Sequence, residues 1–417
     1  MLIKTPSKEN KLFSIFVFLA WPFISFILAI LNYRSSYSKN IVWVFCAFFG
    51  YTFIISNPDM DANRYKSQLK RLYAKTDQPY IKLLKEPFAK KGIYSGTDIY
   101  AHALSLTVSR FTDDFRFFFG IIGLVFGFFY SRNLFMLIAH IKEKKFIFLT
   151  AILMFTLAVL IPFWNINGYR FYTAAMVFLY GVLKIIFERK TVGYLFIILS
   201  PLVHFSFALP LTIFIIYKVI GNWTFMYFLM LIFSLSMVDF DPNTLNENAE
   251  LFPVFMQNKV SGYSSEDYIH TIQNMQKDLN WYVKGRMYAL QFSLYSLLIF
   301  ILIKRKVYLK DKVAQSLISF GILMLAIANI VSSIPSMGRF FSVAAFLLLT
   351  GIIYAIQQQP KGKIFKSLGY LYAIPIFFFL TVELRIGFDF IGLNSLLLNP
   401  FFAPFFPDSP ALIEFFK

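Results

Sequence analysis

Only one cysteine stands in the 417 residues, at Cys46 inside an apolar run. A single thiol leaves no internal disulfide and no cysteine cluster for metal ligation. Acids are scarce too: 22 Asp and Glu face 40 Lys and Arg, a formal net charge of +18, and charged residues make up only 15% of the chain. In a soluble protein that excess would point to nucleic acid. Here it lies in short connectors between apolar runs, where the positive-inside rule accounts for it, so no nucleic-acid partner is expected. No G-x-G-x-x-G, P-loop or H-E-x-x-H occurs, which argues against the corresponding nucleotide and zinc chemistry. No fixed-period repeat is visible, which argues against a solenoid or a duplicated transporter half. The first apolar run, Leu12–Leu31, is long enough to span and has no small-residue cleavage site after it, so it reads as a retained helix.

What is present is apolar. Hydrophobic residues make up 58% of the chain and aromatics 20%, with 54 phenylalanines; mean hydropathy is +0.62. Continuous apolar runs of about 20 residues predict membrane helices, and their lack of alternation argues against a β-barrel. The expected fold is all-α: a polytopic integral membrane protein with about 11–13 transmembrane helices in one membrane domain, residues 1–417. Two polar stretches interrupt it. Residues 57–114 read as a loop carrying amphipathic or partly embedded helices, and residues 239–284 as a second loop. The tail, 385–417, is rich in proline and phenylalanine and reads as a segment on the membrane surface. The connectors around Arg34–Lys39, Lys142–Lys145, Arg189–Lys190 and Lys304–Lys312 are basic and read as cytoplasmic, which places both long loops outside. Lys4, Lys8 and Lys11 dissent from this orientation.

With that topology the unusual polar residues gather on the outer face. They include Asp59, Asp61, Arg64, Tyr65, Glu86, Tyr94, Asp98, Asn165, Asn167, Arg170, His204, Lys284, Arg286 and Arg339. Charges near membrane depth are costly and mark functional sites, although arginines at helix ends also snorkel to headgroups. A guanidinium fork matches the oxygens of a diphosphate better than an ammonium does. On that basis Arg170, Arg286 and Arg339 are anion-binding candidates, with Asn167, Lys284, Arg64 and Tyr65 as further substrate-binding candidates. His204 and Glu86 are candidates for a general base. A desolvated histidine stays neutral and can take a proton, while a hydrogen-bonded structural histidine is the commoner outcome. Asp59-Met60-Asp61 has the form of a D-x-D pair, but Arg64 one turn later can neutralise it, so no metal and no cofactor are expected.

Several of these segments resemble one family. Asp59-x-Asp61-x-x-x-Tyr65, followed by Glu86 and Tyr94, is similar to the D-x-D region of EpsG-type proteins. Asn167-Gly168-Tyr169-Arg170-Phe171-Tyr172-Thr173-Ala174-Ala175 resembles that family's arginine helix, Pro201-Leu202-Val203-His204-Phe205-Ser206 its histidine–serine segment, and Arg339 its late arginine. The long basic stretch Arg64–Lys91 departs from the pattern. The resemblance implies a Wzy-like polysaccharide polymerase of GT-C-like architecture in the bacterial plasma membrane. It would join oligosaccharide repeat units carried on undecaprenyl diphosphate at the outer face, with Arg170, Arg286 and Arg339 holding the donor diphosphate and a base among His204, Glu86, Asp59 and Asp61 activating the acceptor hydroxyl. Membrane lipid and a chain-length regulator are the other implied partners. A lipid-linked glycan flippase, a membrane O-acyltransferase and a glycan ligase are the alternatives. A flippase would carry cations along the middle of several helices; here they sit at helix ends.

Overall fold

The computed structural model describes residues 8–56, 60–89, 98–142, 145–236, 274, 277, 279–334, 336–358 and 363–416. Asp59, Tyr94 and most of the 239–284 loop lie outside the described residues. The protein is an all-α polytopic membrane protein; among the described residues the only β feature is one isolated bridge, Gly392 to Ala411. In chain order the helices are α1 (Lys8–Ala20), α2 (Pro22–Leu31), α3 (Ser38–Tyr51), α4 (Asp61–Tyr73), α5 (Tyr80–Ala89), α6 (Ile99–Ser109), α7 (Phe115–His140), α8 (Phe148–Leu160), α9 (Tyr169–Glu188), α10 (Val192–Val203), α11 (Ala208–Ile220) and α12 (Thr224–Ser236). After the second long loop come α13 (Trp281–Ile303), α14 (Arg305–Tyr308), α15 (Lys312–Val331), α16 (Phe340–Gln358), α17 (Lys363–Gly387) and α18 (Leu393–Leu397).

Among the described residues, six helical stretches are long and apolar enough to cross a membrane, and four apolar helices are shorter. The difference from a set of full-length spans has local causes. Pro22, which has no backbone N–H to donate, opens α2 and separates it from α1. The stretch Phe148–Glu188 runs 41 residues and is long enough for two crossings. Pro162 and the 3-10 turn Phe163–Gly168 divide it into α8 and α9. The chain reverses there. Thr150 near the start of α8 donates to Gln357 at the end of α16 (2.8 Å), and Phe187 at the end of α9 packs on Tyr354 of α16 (5.5 Å).

Helix α9 is the centre of the bundle and is buried along most of its length. It packs on α7 and, antiparallel, on α10. Gly181 of α9 and Gly193 of α10 meet backbone to backbone: a Cβ on Gly181 would sit 2.6 Å from the Gly193 carbonyl oxygen. Small residues permit such close approach between membrane helices. That contact delivers the end of α10, His204, beside the start of α9.

The two ends of the bundle differ. At one end the basic connectors are tied together: Arg34 donates to the Ile138 carbonyl (3.1 Å), Gln358 to that of His140 (3.0 Å) and Gln357 to that of Lys145 (2.7 Å). At the other end α4, α5 and α6 form a folded cap around Leu72, Leu83 and Leu106. His102 of α6 hydrogen-bonds through Nε2 to the Leu83 carbonyl oxygen (2.8 Å) within this cap. Helix α6 is packed on α4, α5 and α10 with Ser105, Leu106 and Ser109 fully buried. The tail is held to the same end, where Thr52 and Ser395 share a hydrogen bond (2.7 Å) and Arg116 donates to the Pro404 carbonyl (3.3 Å).

Candidate functional site

Asp98 occupies the position before α6 where an aspartate ordinarily caps a helix, yet its side chain makes no cap. It turns into the bundle and is almost wholly buried. One oxygen, Oδ2, accepts from Arg170 Nη1 (3.0 Å) and pairs with His204 Nδ1 (2.9 Å). The other, Oδ1, accepts from the Phe205 backbone N–H (3.0 Å). Buried charge needs such partners, and here the cluster is assembled from three different elements. Arg170 comes from the first turn of α9, His204 from the end of α10, and Asp98 from the connection into α6.

Tyr65 of α4 completes the cluster. Its phenol oxygen accepts from Arg170 Nε (2.9 Å), and its ring packs edge-on against Tyr169 (4.7 Å). Helix α4 is positioned by Asn167, whose Oδ1 accepts from the Ala62 backbone N–H (3.1 Å). The Asn-Gly turn before Arg170 therefore anchors the cap as well as opening α9.

These groups line one cavity of about 320 Å³. Asp61, Arg64, Tyr65, Arg170 and His204 form part of its wall, and Ser336, Met337 and Arg339 face them. Arg64 pairs with Asp61 and is itself exposed. Arg339 makes no ion pair among the described residues; its guanidinium lies 6.0 Å from the Phe171 ring centroid. Ser336 holds a left-handed backbone (φ 69°), a conformation that costs a non-glycine residue roughly 1–2 kcal/mol. Such strain concentrates at functional sites.

The electrostatics assign different duties. Burial by itself would push the Asp98 carboxyl up. The His204 hydrogen bond, the charge of Arg170 and the Phe205 amide outweigh it and hold the carboxyl well below the usual carboxylate range. Asp98 is thus a permanent anion that orients its neighbours, and a poor proton acceptor. Burial pushes the Tyr65 phenol up more than the charge of Arg170 pulls it down. Tyr65 stays a neutral phenol whose own O–H can donate. With Nδ1 donating to Asp98, a neutral His204 keeps Nε2 as an acceptor, the arrangement of a base and its orienting carboxylate. Arg170 has two nitrogens committed to protein, while Arg339 and the remaining Arg170 nitrogen are available for an anion.

The family model of the EpsG family matches residues 41–391, most of the chain. The chain belongs to the EpsG family. No curated protein and no solved structure matches it. The EpsG-family match contains every residue of the cavity and leaves out α1, α2 and the tail beyond Ile391. Family and helices together make this a multi-pass membrane protein.

Within this EpsG-family fold, seven of the residues singled out in the sequence come together. Asp61, Arg64, Tyr65, Arg170, His204 and Arg339 line the cavity, and Asn167 braces its wall. Three others sit elsewhere. Glu86 is on α5 opposite Lys75 (3.8 Å) and does not line the cavity. Arg286 is bound by Glu383 of α17 (2.8 Å) and by the Val283 carbonyl (3.2 Å), so it is a helix-to-helix tie outside the cavity wall. Lys284 is exposed and donates to the Lys277 carbonyl (3.1 Å). Asp59 lies outside the described residues. Among those residues no group of three His, Cys, Asp or Glu side chains comes within metal-binding reach of one another.

Two carboxylates matter more than the sequence showed. Asp98 was one polar residue among several on the outer face, and a cap position hides a buried role. Glu383 ends the last long apolar run, and a lone acid at that depth signals a partner.

Proposed function

We propose that this EpsG-family protein is a polysaccharide polymerase that joins oligosaccharide repeat units carried on undecaprenyl diphosphate, at the outer face of the bacterial plasma membrane and on a GT-C-like framework. Family membership supports the polymerase class. The basic connectors gathered at the opposite end of the bundle support an outward-facing cavity. The observation that carries the reading is the single buried carboxylate, Asp98, that binds both Arg170 and His204 on the wall of a cavity shared with Arg339.

On this reading the acceptor hydroxyl lies against His204 Nε2 and the donor diphosphate against Arg339 and the free edge of Arg170. The hydroxyl oxygen bonds to the anomeric carbon, and its proton goes to His204. The bond from that carbon to the diphosphate oxygen breaks, and the diphosphate leaves with the electron pair. Its growing negative charge falls where the guanidinium groups already stand, the form of electrostatic stabilisation that needs no reorganisation. Asp98 stabilises the imidazolium that results.

The test is the lipid-linked material in cells whose own gene is replaced by Arg170→Ala. Single repeat units on the lipid carrier, with the protein still inserted, are the expected outcome. Wild-type chain lengths would refute the diphosphate site. Finished polymer that is not transferred to its acceptor would point to a ligase instead.

A further inference from the structure

A cavity larger than this one lies far from the site. It has a volume of about 870 Å³ and opens between α12 and α13 at the end of the bundle where the basic connectors gather. Its size is within the roughly 300–1,000 Å³ typical of small-molecule sites. Its two halves differ in chemistry. Phe225, Phe228, Ile299 and Leu302 form an apolar wall along the helices, and Arg305, Lys306 and Lys310 form a cationic rim. No acid lines it. The nearest carboxylate in sequence, Asp311, is occupied as the cap of α15, accepting from the Val313 and Ala314 N–H groups (2.8 and 3.1 Å). The three cations make no ion pair among the described residues and are exposed. Trp223 stands at the mouth, 60% exposed, as a tryptophan does at the membrane–water boundary.

A soluble anion would have no use for the apolar wall, and a neutral lipid none for three unpaired cations. We propose that this groove binds one anionic phospholipid of the adjoining leaflet, with its phosphate on Arg305, Lys306 and Lys310 and an acyl chain between α12 and α13. The groove is held open by the protein itself. Asn222 and Thr224 at the base of α12 are fastened to Ser316 and Ser319 of α15 (3.2 and 2.6 Å), so α12 keeps its distance from α13. This site does not depend on the polymerase reading, since it lies at the opposite end of the bundle.

Native mass spectrometry of the full chain released from detergent tests it, with phosphatidylglycerol and phosphatidylethanolamine added in turn. Each cation near an anionic surface is worth about fivefold in binding, so removing three should cost well over tenfold. Wild-type protein should retain phosphatidylglycerol over phosphatidylethanolamine. Arg305→Gln, Lys306→Gln and Lys310→Gln together should lower retention at least about tenfold. The matched set Lys39→Gln, Lys142→Gln and Lys145→Gln, cations of the same end outside the groove, should leave it unchanged. Ile299→Trp fills the apolar half and should lower retention with every cation in place. Equal retention by the two triple variants, equal retention of the two lipids, or a second polypeptide in the groove in place of lipid would each overturn the proposal.

Discussion

Two arginine–carboxylate pairs stand on the cap side of this bundle, and they resemble each other closely. Arg170 meets Asp98 at 3.0 Å and Arg286 meets Glu383 at 2.8 Å. Each joins segments distant in sequence, and each carboxylate is nearly buried. The surroundings separate them. Asp98 also holds a histidine and a backbone N–H, and its arginine lines a cavity. Among the described residues Glu383 has Arg286 alone as its ion-pair partner, and neither residue lines that cavity. A buried ion pair by itself is weak evidence of function, because its attraction is offset by desolvation. What marks a site is a pair that organises further reactive groups around open space.

The sharpest way to break this contrast is Asp98→Ala. It strands Arg170 and frees His204, and losing one member of a buried pair costs about 3–5 kcal/mol; the lower end applies, because Arg170 is a third exposed. Chain elongation should vanish and the unfolding midpoint in detergent should fall. A variant that still elongates normally would remove Asp98 from the site. Next in size is Arg170→Lys, which keeps a charge and loses the hydrogen bonds to Tyr65 and Asp98 in their fixed geometry. Elongation should drop by at least about tenfold, as expected for a lost charge-assisted bond of roughly 1.5–3 kcal/mol; full activity on a glycan ladder gel would mean that a point charge suffices. Arg339→Ala should reduce elongation by a similar or smaller factor while stability stays within about 0.5 kcal/mol, as for surface residues without partners.

The second pair should behave in the opposite way. Glu383→Ala should lower the unfolding midpoint, whereas Arg286→Met combined with Glu383→Leu should recover most of that loss and retain elongation, because apolar replacement of a whole buried pair is close to neutral. Loss of elongation in a stable double variant would bring Arg286 back into the site. The smallest expected effect is on pH. The folded state depresses the Asp98 carboxyl, so its contribution is fully present above the ordinary carboxylate range, about pH 4, and is lost as pH falls through the lower folded value. The stability gap between wild type and Asp98→Asn should therefore close as pH falls below about 4. A gap that stays unchanged on that acidification would assign the linkage to another group.

The membrane class, the basic connectors and the polar residues at helix ends were all legible along the chain. Length and hydropathy of a helix are local quantities, and bilayer thickness translates them directly. Arg170, His204 and Arg339 stood out for a related reason: each is a polar group placed where lipid makes polarity expensive. What the chain concealed was partnership. Arg286 and Arg339 look alike in sequence, yet one is neutralised by Glu383 and the other faces the cavity without an ion pair among the described residues. Asp98 stood among several polar residues of the first long loop, and nothing local marked it as the partner of both Arg170 and His204.

Composition and apolar periodicity alone determined that this protein crosses a membrane as helices, because those terms depend only on neighbouring residues and the solvent around them. Which charges meet was decided by the tertiary structure. The backbone contact of Gly181 with Gly193 sets α10 against α9 and carries His204 to the start of α9, while the packing of α6 on α4, α5 and α10 carries Asp98 to Arg170. An ion pair depends on distances of a few ångströms between residues far apart in sequence, 72 positions for Arg170 and Asp98, and no local pattern encodes that distance.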